Sequence, residues 1–249
     1  MPRLMSDMEI GQVAGRQNFQ FSGVRTERLS ATEYTLVTIA VDVTGSVCDF
    51  ENELRQCLIA AIQACQNSPR SEYLLARVIF FSDRFPQGVK EVHGFLPLEE
   101  IDLNVYSALR ANGMTTLYDA CYSSIGAMNE YARKLRADDF GVNAIAFILT
   151  DGDDNASMAT PAMVKEEIQK GVKGEFLESM VAILVGVNAE NYAQELQKFQ
   201  REVGITQYVD VGQATERELA KLADFVSRSI SLQSQALADG DPVQMPAII

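Results

Sequence analysis

Residues 37–46 read V-T-I-A-V-D-V-T-G-S, an apolar, β-branched run that ends in a carboxylate and two hydroxyls. Leu36, Val37, Ile39, Ala40 and Val41 leave no clean polar face, the pattern of a strand buried on both sides. From Asp49 the apolar period becomes helical, with Leu54, Cys57, Leu58, Ala61, Ile62 and Cys65 three and four apart. Asp42, Thr44 and Ser46 are thereby placed in a strand-to-helix loop at the carboxyl end of a central strand. That edge is where open α/β sheets bind ligands. Three oxygen-bearing side chains so close together suit part of a hard-cation site.

The remaining chain repeats the alternation. A strand over Tyr73–Ser82 turns at R-F-P-Q-G (84–88) into an antiparallel partner, Val89–Phe95. Pro97 opens a short helical piece, and a long helix from Thr116 carries Leu117, Cys121, Ser124, Ile125, Met128, Ala132 and Leu135 on one stripe. Val142–Leu149 is a second buried strand, followed by Asp151, and a helix begins at Pro161. Strand Met180–Val187, a helix marked by Tyr192, Leu196, Phe199 and Val203, strand Tyr208–Val211 and a helix from Leu219 to Ile230 complete the pattern. Strands alternating with helices imply an α/β fold with a mostly parallel sheet covered on both faces. Residues 1–33 read as an N-terminal extension in which Phe19 and Phe21 mark an added strand. Residues 34–232 read as the domain, and the polar 233–249 as a flexible tail.

Composition narrows the function. A length of 249 residues, 47% hydrophobic, fits one α/β domain with a sizeable core. A net charge of −13 without a basic cluster argues against nucleic acid or an anionic membrane as partner. The opening M-P-R-L-M-S-D-M-E-I has no apolar core of signal-peptide length, and no segment approaches a membrane span. The four cysteines lack C-x-x-C spacing, so reduced thiols and a cytoplasmic location are expected. His93, the single histidine, reads as a surface or structural residue on an edge strand, which leaves triad chemistry without a base.

Three segments can reach the same sheet edge: Asp42-x-Thr44-x-Ser46, Gly113-Met114-Thr115-Thr116 and Thr150-Asp151-Gly152-Asp153. Together they offer two carboxylates and several hydroxyls, with no thiolate or imidazole. An all-oxygen set suits Mg²⁺, Mn²⁺ or Ca²⁺ better than zinc. Mg²⁺ uses one or two carboxylates and keeps its remaining positions for water or an incoming ligand.

D-V-T-G-S (42–46), G-M-T-T-L-Y-D-A (113–120) and L-T-D-G-D (149–153) resemble the three parts of the metal-ion-dependent adhesion site (MIDAS) of a von Willebrand factor A (VWA) domain. Thr44 occupies a position where that family more often has serine, and keeps the hydroxyl. F-F-S-D at 80–83 also resembles the family, in a structural role. The resemblance, over about residues 34–230, implies a Rossmann-like three-layer fold with a six-stranded sheet and one antiparallel edge strand. It implies a metal site of Asp42, Thr44, Ser46, Thr115 and Asp151, completed by an Asp or Glu carboxylate from a protein partner. It further implies a non-enzymatic scaffold or adaptor, in a bacterial AAA+ ATPase-associated, stress or signalling system.

Other readings of these residues are weaker. Asp42 and Thr44 alone would serve as a helix N-cap cluster, which would leave a metal-free interaction scaffold. Asp151, Asp153 and Asn155 have EF-hand spacing, but Ala156 and Ala162 replace the required glycine and glutamate. A haloacid-dehalogenase-like, Mg²⁺-dependent phosphohydrolase also places an aspartate after its first strand. Its general acid two residues later would here be Thr44.

Overall fold

The computed structural model describes residues 7–13 and 19–240. Its eight strands form one sheet in the order β1-β2-β5-β4-β3-β6-β7-β8. They are β1 (Met8–Gln12), β2 (Gln20–Val24), β3 (Glu33–Asp42), β4 (Leu74–Phe81), β5 (Val89–Pro97), β6 (Gly141–Thr150), β7 (Met180–Gly186) and β8 (Gln207–Asp210). Strands β4, β3, β6, β7 and β8 run parallel, and β5 returns antiparallel to β4. The helices are α1 (Glu51–Gln66), α2 (Leu117–Ala137), α3 (Pro161–Lys173), α4 (Ala193–Val203) and α5 (Glu216–Asp239). Among the described residues no helix is long and apolar enough to cross a membrane.

The side-chain alternation of β3 builds the three layers. Leu36 and Ala40 join the core under α2, α3 and α4. Val37, Ile39 and Val41 join the core under α1 and α5. Both faces of the strand are therefore dry, which is why its sequence is an unbroken apolar run. Each fully buried Val, Leu or Ile contributes about 1.5–3 kcal/mol relative to exposure. The parallel register aligns the carboxyl ends of β3 and β6, with Val41 opposite Leu149, so the loops after both strands emerge side by side. Helix starts follow local chemistry. Thr160 caps α3 ahead of Pro161, and the Thr215 hydroxyl accepts from Glu218 N–H at α5.

The three-layer fold read from the sequence is present, and the N-terminal segment enlarges its sheet. Strand β5 is antiparallel as expected but is not the edge. Strand β2 lies beside it, and β1 pairs with β2 in turn. Side chains hold this addition more than backbone pairing does, for β2 and β5 share a single registered pair, Gly23 with Phe95. The buried guanidinium of Arg77 donates from Nε to Glu91 Oε2 at 2.6 Å. The other oxygen of Glu91 accepts from Ser22 N–H at 2.9 Å and from the Ser22 hydroxyl at 2.5 Å. Tyr131 of α2 donates to Val24 O at 2.6 Å. Gly126 admits Val13, since a Cβ there would lie 2.3 Å from Val13 Cγ1.

Two further elements differ from their sequence reading. Helix α5 continues to Asp239, past the expected domain end at 232, and Gln233 and Ser234 are buried at the far end of the sheet. There Asn143 Nδ2 donates to Gln233 O, and Arg70 Nε donates to Ser234 Oγ. The rest of the expected tail, 241–249, lies outside the described residues. His93 is half-buried within the sheet. Its Nδ1–H donates to Gly94 O, which leaves Nε2 to accept from Tyr106 at 2.7 Å.

Glu91→Ala removes the partner of a buried cation, so a loss of about 3 kcal/mol is expected. Exchanging the pair together, Arg77→Met with Glu91→Leu, should recover most of it. Urea unfolding of the three proteins measures both effects, and equal stability of the single and double variants would contradict the role given to this pair.

Candidate metal centre

The loop after β3 turns at once into a short 3-10 segment, Gly45–Phe50, ahead of α1. Asp42, at the strand end, is 1% exposed, and both its oxygens are engaged. Oδ1 accepts from Thr44 N–H at 2.9 Å, closing the local turn that aspartate favours. Oδ2 accepts from the Thr150 hydroxyl at 2.8 Å, across from the end of β6. Above this buried layer lies a second one. The hydroxyls of Thr44 and Ser46 are 3.1 Å apart, and Ser46 Oγ donates to Asp151 Oδ1 at 2.9 Å. Thr44 is buried and Ser46 is exposed, so the oxygen row climbs from the core to the surface.

The second loop is fastened to the first and to the third. Gly45 N–H donates to Gly113 O at 2.9 Å, and Asn112 N–H donates to Val43 O at 2.8 Å. Thr115 N–H donates to Asn155 Oδ1 at 2.8 Å, while Thr115 O accepts from Asn155 and Ala156 N–H. The structure therefore brings the loops of all five expected residues together. Hydrogen bonds link the side chains of Thr44, Ser46 and Asp151 in one row, with Asp42 beneath it through the Thr44 backbone. The Thr115 hydroxyl is not part of that row. The neighbouring Thr116 turns elsewhere, donating to Gly88 O at 2.7 Å.

The supporting residues were largely missed by sequence reasoning. Ser82 donates to Asn112 O at 2.6 Å, and Asp83 accepts from Met114 N–H at 2.8 Å, so F-F-S-D clamps the second loop. Gly113, at φ 89°, is required there, because a Cβ would lie 2.4 Å from both Ser82 Oγ and Asp83 Oδ1. Asp154 accepts from Tyr118 N–H at the start of α2, where a carboxylate also favours the helix dipole. Asp119 accepts from Met158 and Ala159 N–H, tying α2 back to the third loop. Their signal was present in Y-D-A and D-D-N, but polar loop residues carry no mark that tells a clamp from a solvated side chain.

Charge is the dominant feature of the centre. Burial first, and then the Asp151 carboxylate, push the Asp42 pKa up to about 7. Burial also raises that of Asp151. Among the described residues no cluster of three or more His, Cys, Asp or Glu side chains forms a metal site. The donors here are instead two carboxylates and hydroxyls. In an octahedron with metal–oxygen distances of 2.0–2.1 Å, adjacent oxygens lie about 2.9 Å apart. The 3.1 and 2.9 Å separations along Thr44, Ser46 and Asp151 are those of hydrogen bonds and leave the oxygens within reach of one ion, and carboxylate and hydroxyl oxygens are the donors a hard cation takes.

No known protein family matches the sequence, and no curated protein matches it. Solved structures do. The fold is similar to the pilus adhesin SpaC from Lactobacillus rhamnosus GG, at a TM-score of 0.60 and 12% identity over 90% of this chain and 34% of that one. It is also similar to proximal thread matrix protein 1 (PTMP1) from the mussel byssus, in a structure with a zinc-occupied MIDAS motif. That match has a TM-score of 0.52 and 15% identity over 84% of this chain and 47% of that one. This chain thus spans less than half the length of either. At such identities the likeness is one of fold, and the fold is VWA-like.

The raised Asp42 pKa has a definite sign. The fold holds a proton there that the unfolded chain, near pKa 3.9, releases. In metal-free protein this contribution to stability is full below pH 4 and is lost as the pH rises from about 4 to 7. In EDTA, wild type should lose more stability than Asp42→Asn between pH 5 and pH 7.5, read from denaturant midpoints. Parallel losses would show that Asp42 ionises without cost.

Proposed function

We propose that this chain is a protein-binding module that holds a divalent cation at Asp42, Thr44, Ser46 and Asp151, with Thr115 beside them, and recognises a carboxylate on a protein partner through it. The observation that carries the reading is the hydrogen-bonded row of side-chain oxygens beside a buried, like-charged carboxylate pair. Two carboxylates facing one another are unfavourable without compensation, and a divalent cation offsets both.

The roles follow from the hydrogen bonding. Thr44, Ser46 and Asp151 form the linked row of side-chain oxygens and are the direct ligands. Asp42, with both oxygens hydrogen-bonded and only 1% exposed, supplies charge from beneath. When bound, the cation supplies a Lewis-acidic position for an incoming Asp or Glu. Two protein carboxylates leave a divalent ion near neutrality, so a third can approach without strong repulsion.

Mg²⁺ is the proposed ion, with Mn²⁺ and Ca²⁺ as alternatives. Zinc occupies the motif of the mussel protein. Oxygen ligands suit magnesium, and metal availability as well as ligand type sets which ion occupies such a site. The module is proposed as a cytoplasmic, non-enzymatic scaffold or adaptor in a bacterial stress, signalling or AAA+ ATPase-associated system. Its four cysteines all stand unpaired, as suits a reducing compartment. Against the hydrolase reading, both oxygens of Asp42 are engaged within the fold, which suits a nucleophile poorly.

Saturating Mg²⁺ should raise the melting temperature of the wild type by several degrees, because a ligand that binds only the folded state stabilises it. At a hundredfold excess over Kd the gain is about 2.7 kcal/mol. Asp151→Ala should abolish the shift while leaving a cooperative melt. Titrations of Mn²⁺, Ca²⁺ and Zn²⁺ alongside rank the ions. A melting temperature indifferent to all four would refute the metal reading, and phosphatase turnover lost in Asp42→Asn would replace it with the hydrolase.

A further inference from the structure

Around the candidate metal centre the surface changes character. Among the described residues seven large apolar side chains stand exposed, and three of them lie at this one edge. Met114, 52% exposed, sits in the second loop between Gly113 and Thr115. Met158, 65% exposed, lies at the end of the third loop. Tyr192, 46% exposed, follows β7, and its ring borders Gly152, where a Cβ would meet it at 3.8 Å.

Their exposure is held by the backbone. Met114 N–H donates to Asp83 Oδ1, its carbonyl accepts from Asp83 N–H, and Met158 N–H donates to Asp119 Oδ2. Both loops are thus pinned by carboxylates while their methionines remain outside. Exposed apolar groups gathered at a polar site mark contact surfaces. Methionine adapts to varied apolar partners, and tyrosine gives large contact area at low entropic cost.

The charges at this edge point the same way. Arg84 and Arg110 are exposed, and their guanidinium groups rest on backbone carbonyls. Neither forms an ion pair among the described residues. The carboxylates close by are occupied: Asp83 by Met114 N–H, Glu51 by Ala111 N–H, and Asp154 by Tyr118 N–H and Ser157. In a chain of net charge −13, this rim therefore offers two exposed cations without an ion pair among the described residues, beside carboxylates already held by backbone N–H groups.

We infer that the partner is an extended protein segment in which the metal-directed Asp or Glu is flanked by apolar side chains, received by Met114, Met158 and Tyr192, with further acidic residues toward Arg84 and Arg110. The inference rests on the metal-dependent reading above and adds the sequence chemistry of the ligand. A carboxylate alone would bind weakly and without selectivity. The apolar contacts around it exclude water and supply the discrimination, as at interfaces where a polar anchor sits within a dry collar.

A random peptide library displayed on phage, panned on the full chain in Mg²⁺ and eluted with EDTA, tests this. The expected selection is an acidic residue with Leu, Ile, Phe or Met within two positions on either side. A synthetic peptide of the selected sequence should bind the triple variant Met114→Ser, Met158→Ser, Tyr192→Ser at least tenfold more weakly than wild type. That variant should keep the wild-type Mg²⁺ shift in melting temperature, which shows it folded and loaded. A retained metal shift with no EDTA-eluted peptide, with acidic peptides lacking apolar flanks, or with undiminished binding to the triple variant overturns this inference alone. Loss of the wild-type metal shift overturns it together with the metal reading.

Discussion

The constraint on which this structure turns is the burial of Asp42. A carboxylate at the end of a central strand, sealed from solvent, is unstable as an anion unless something meets its charge. The chain meets part of it locally, with the Thr44 N–H, and part across the sheet, with the Thr150 hydroxyl. Neither donor carries full charge, and Asp151 adds a second carboxylate close enough to push the first further from ionisation. That uncompensated charge is what the proposed cation would offset.

The surrounding architecture keeps that geometry in place. Parallel registration of β3 with β6 sets the two carboxylate-bearing loops side by side, and the apolar alternation of β3 anchors the strand in both cores. The second loop has no strand directly behind it. It is held instead by Ser82 and Asp83 from one side, by Gly45 and Val43 from another, and by Asn155 from the third. The network Arg77–Glu91–Ser22 uses the same device at the opposite flank, where a carboxylate fixes an added strand that backbone pairing alone holds poorly.

Legibility in the sequence followed the physics of burial. The strands and helices of the α/β core could be read because dry strands are continuous apolar runs and covered helices are striped. The loops of the candidate centre could be read because carboxylates and hydroxyls interrupt those runs at their ends. The enlargement of the sheet was harder to see. Glu91 and Arg77 read as ordinary strand charges, and only the fold brings them to Ser22. The last turns of α5 looked like a tail because Gln233 and Ser234 are polar. Their burial depends on Asn143 and Arg70, distant in sequence, so no local pattern announces it. Asp119 and Asp154 carry no local mark of their role, and Asn155 stands out only by an unmet EF-hand spacing, for the same reason: a carboxylate or amide that accepts a backbone N–H is indistinguishable in composition from one that faces water.

Preorganisation joins these observations to function. Loops that must order on binding lose affinity to conformational entropy, at about 1–2 kcal/mol per residue fixed. Here the three loops are cross-linked before any ligand arrives, through backbone N–H groups that accept no substitute geometry. The same bonds that satisfy the nearby acids also hold Met114 and Met158 outward, so the order that shapes the charged centre also shapes its apolar margin. A carboxylate of the proposed kind would meet a site whose ordering cost is already met by folding, which would leave the energy of its contacts for binding and for choosing between partners.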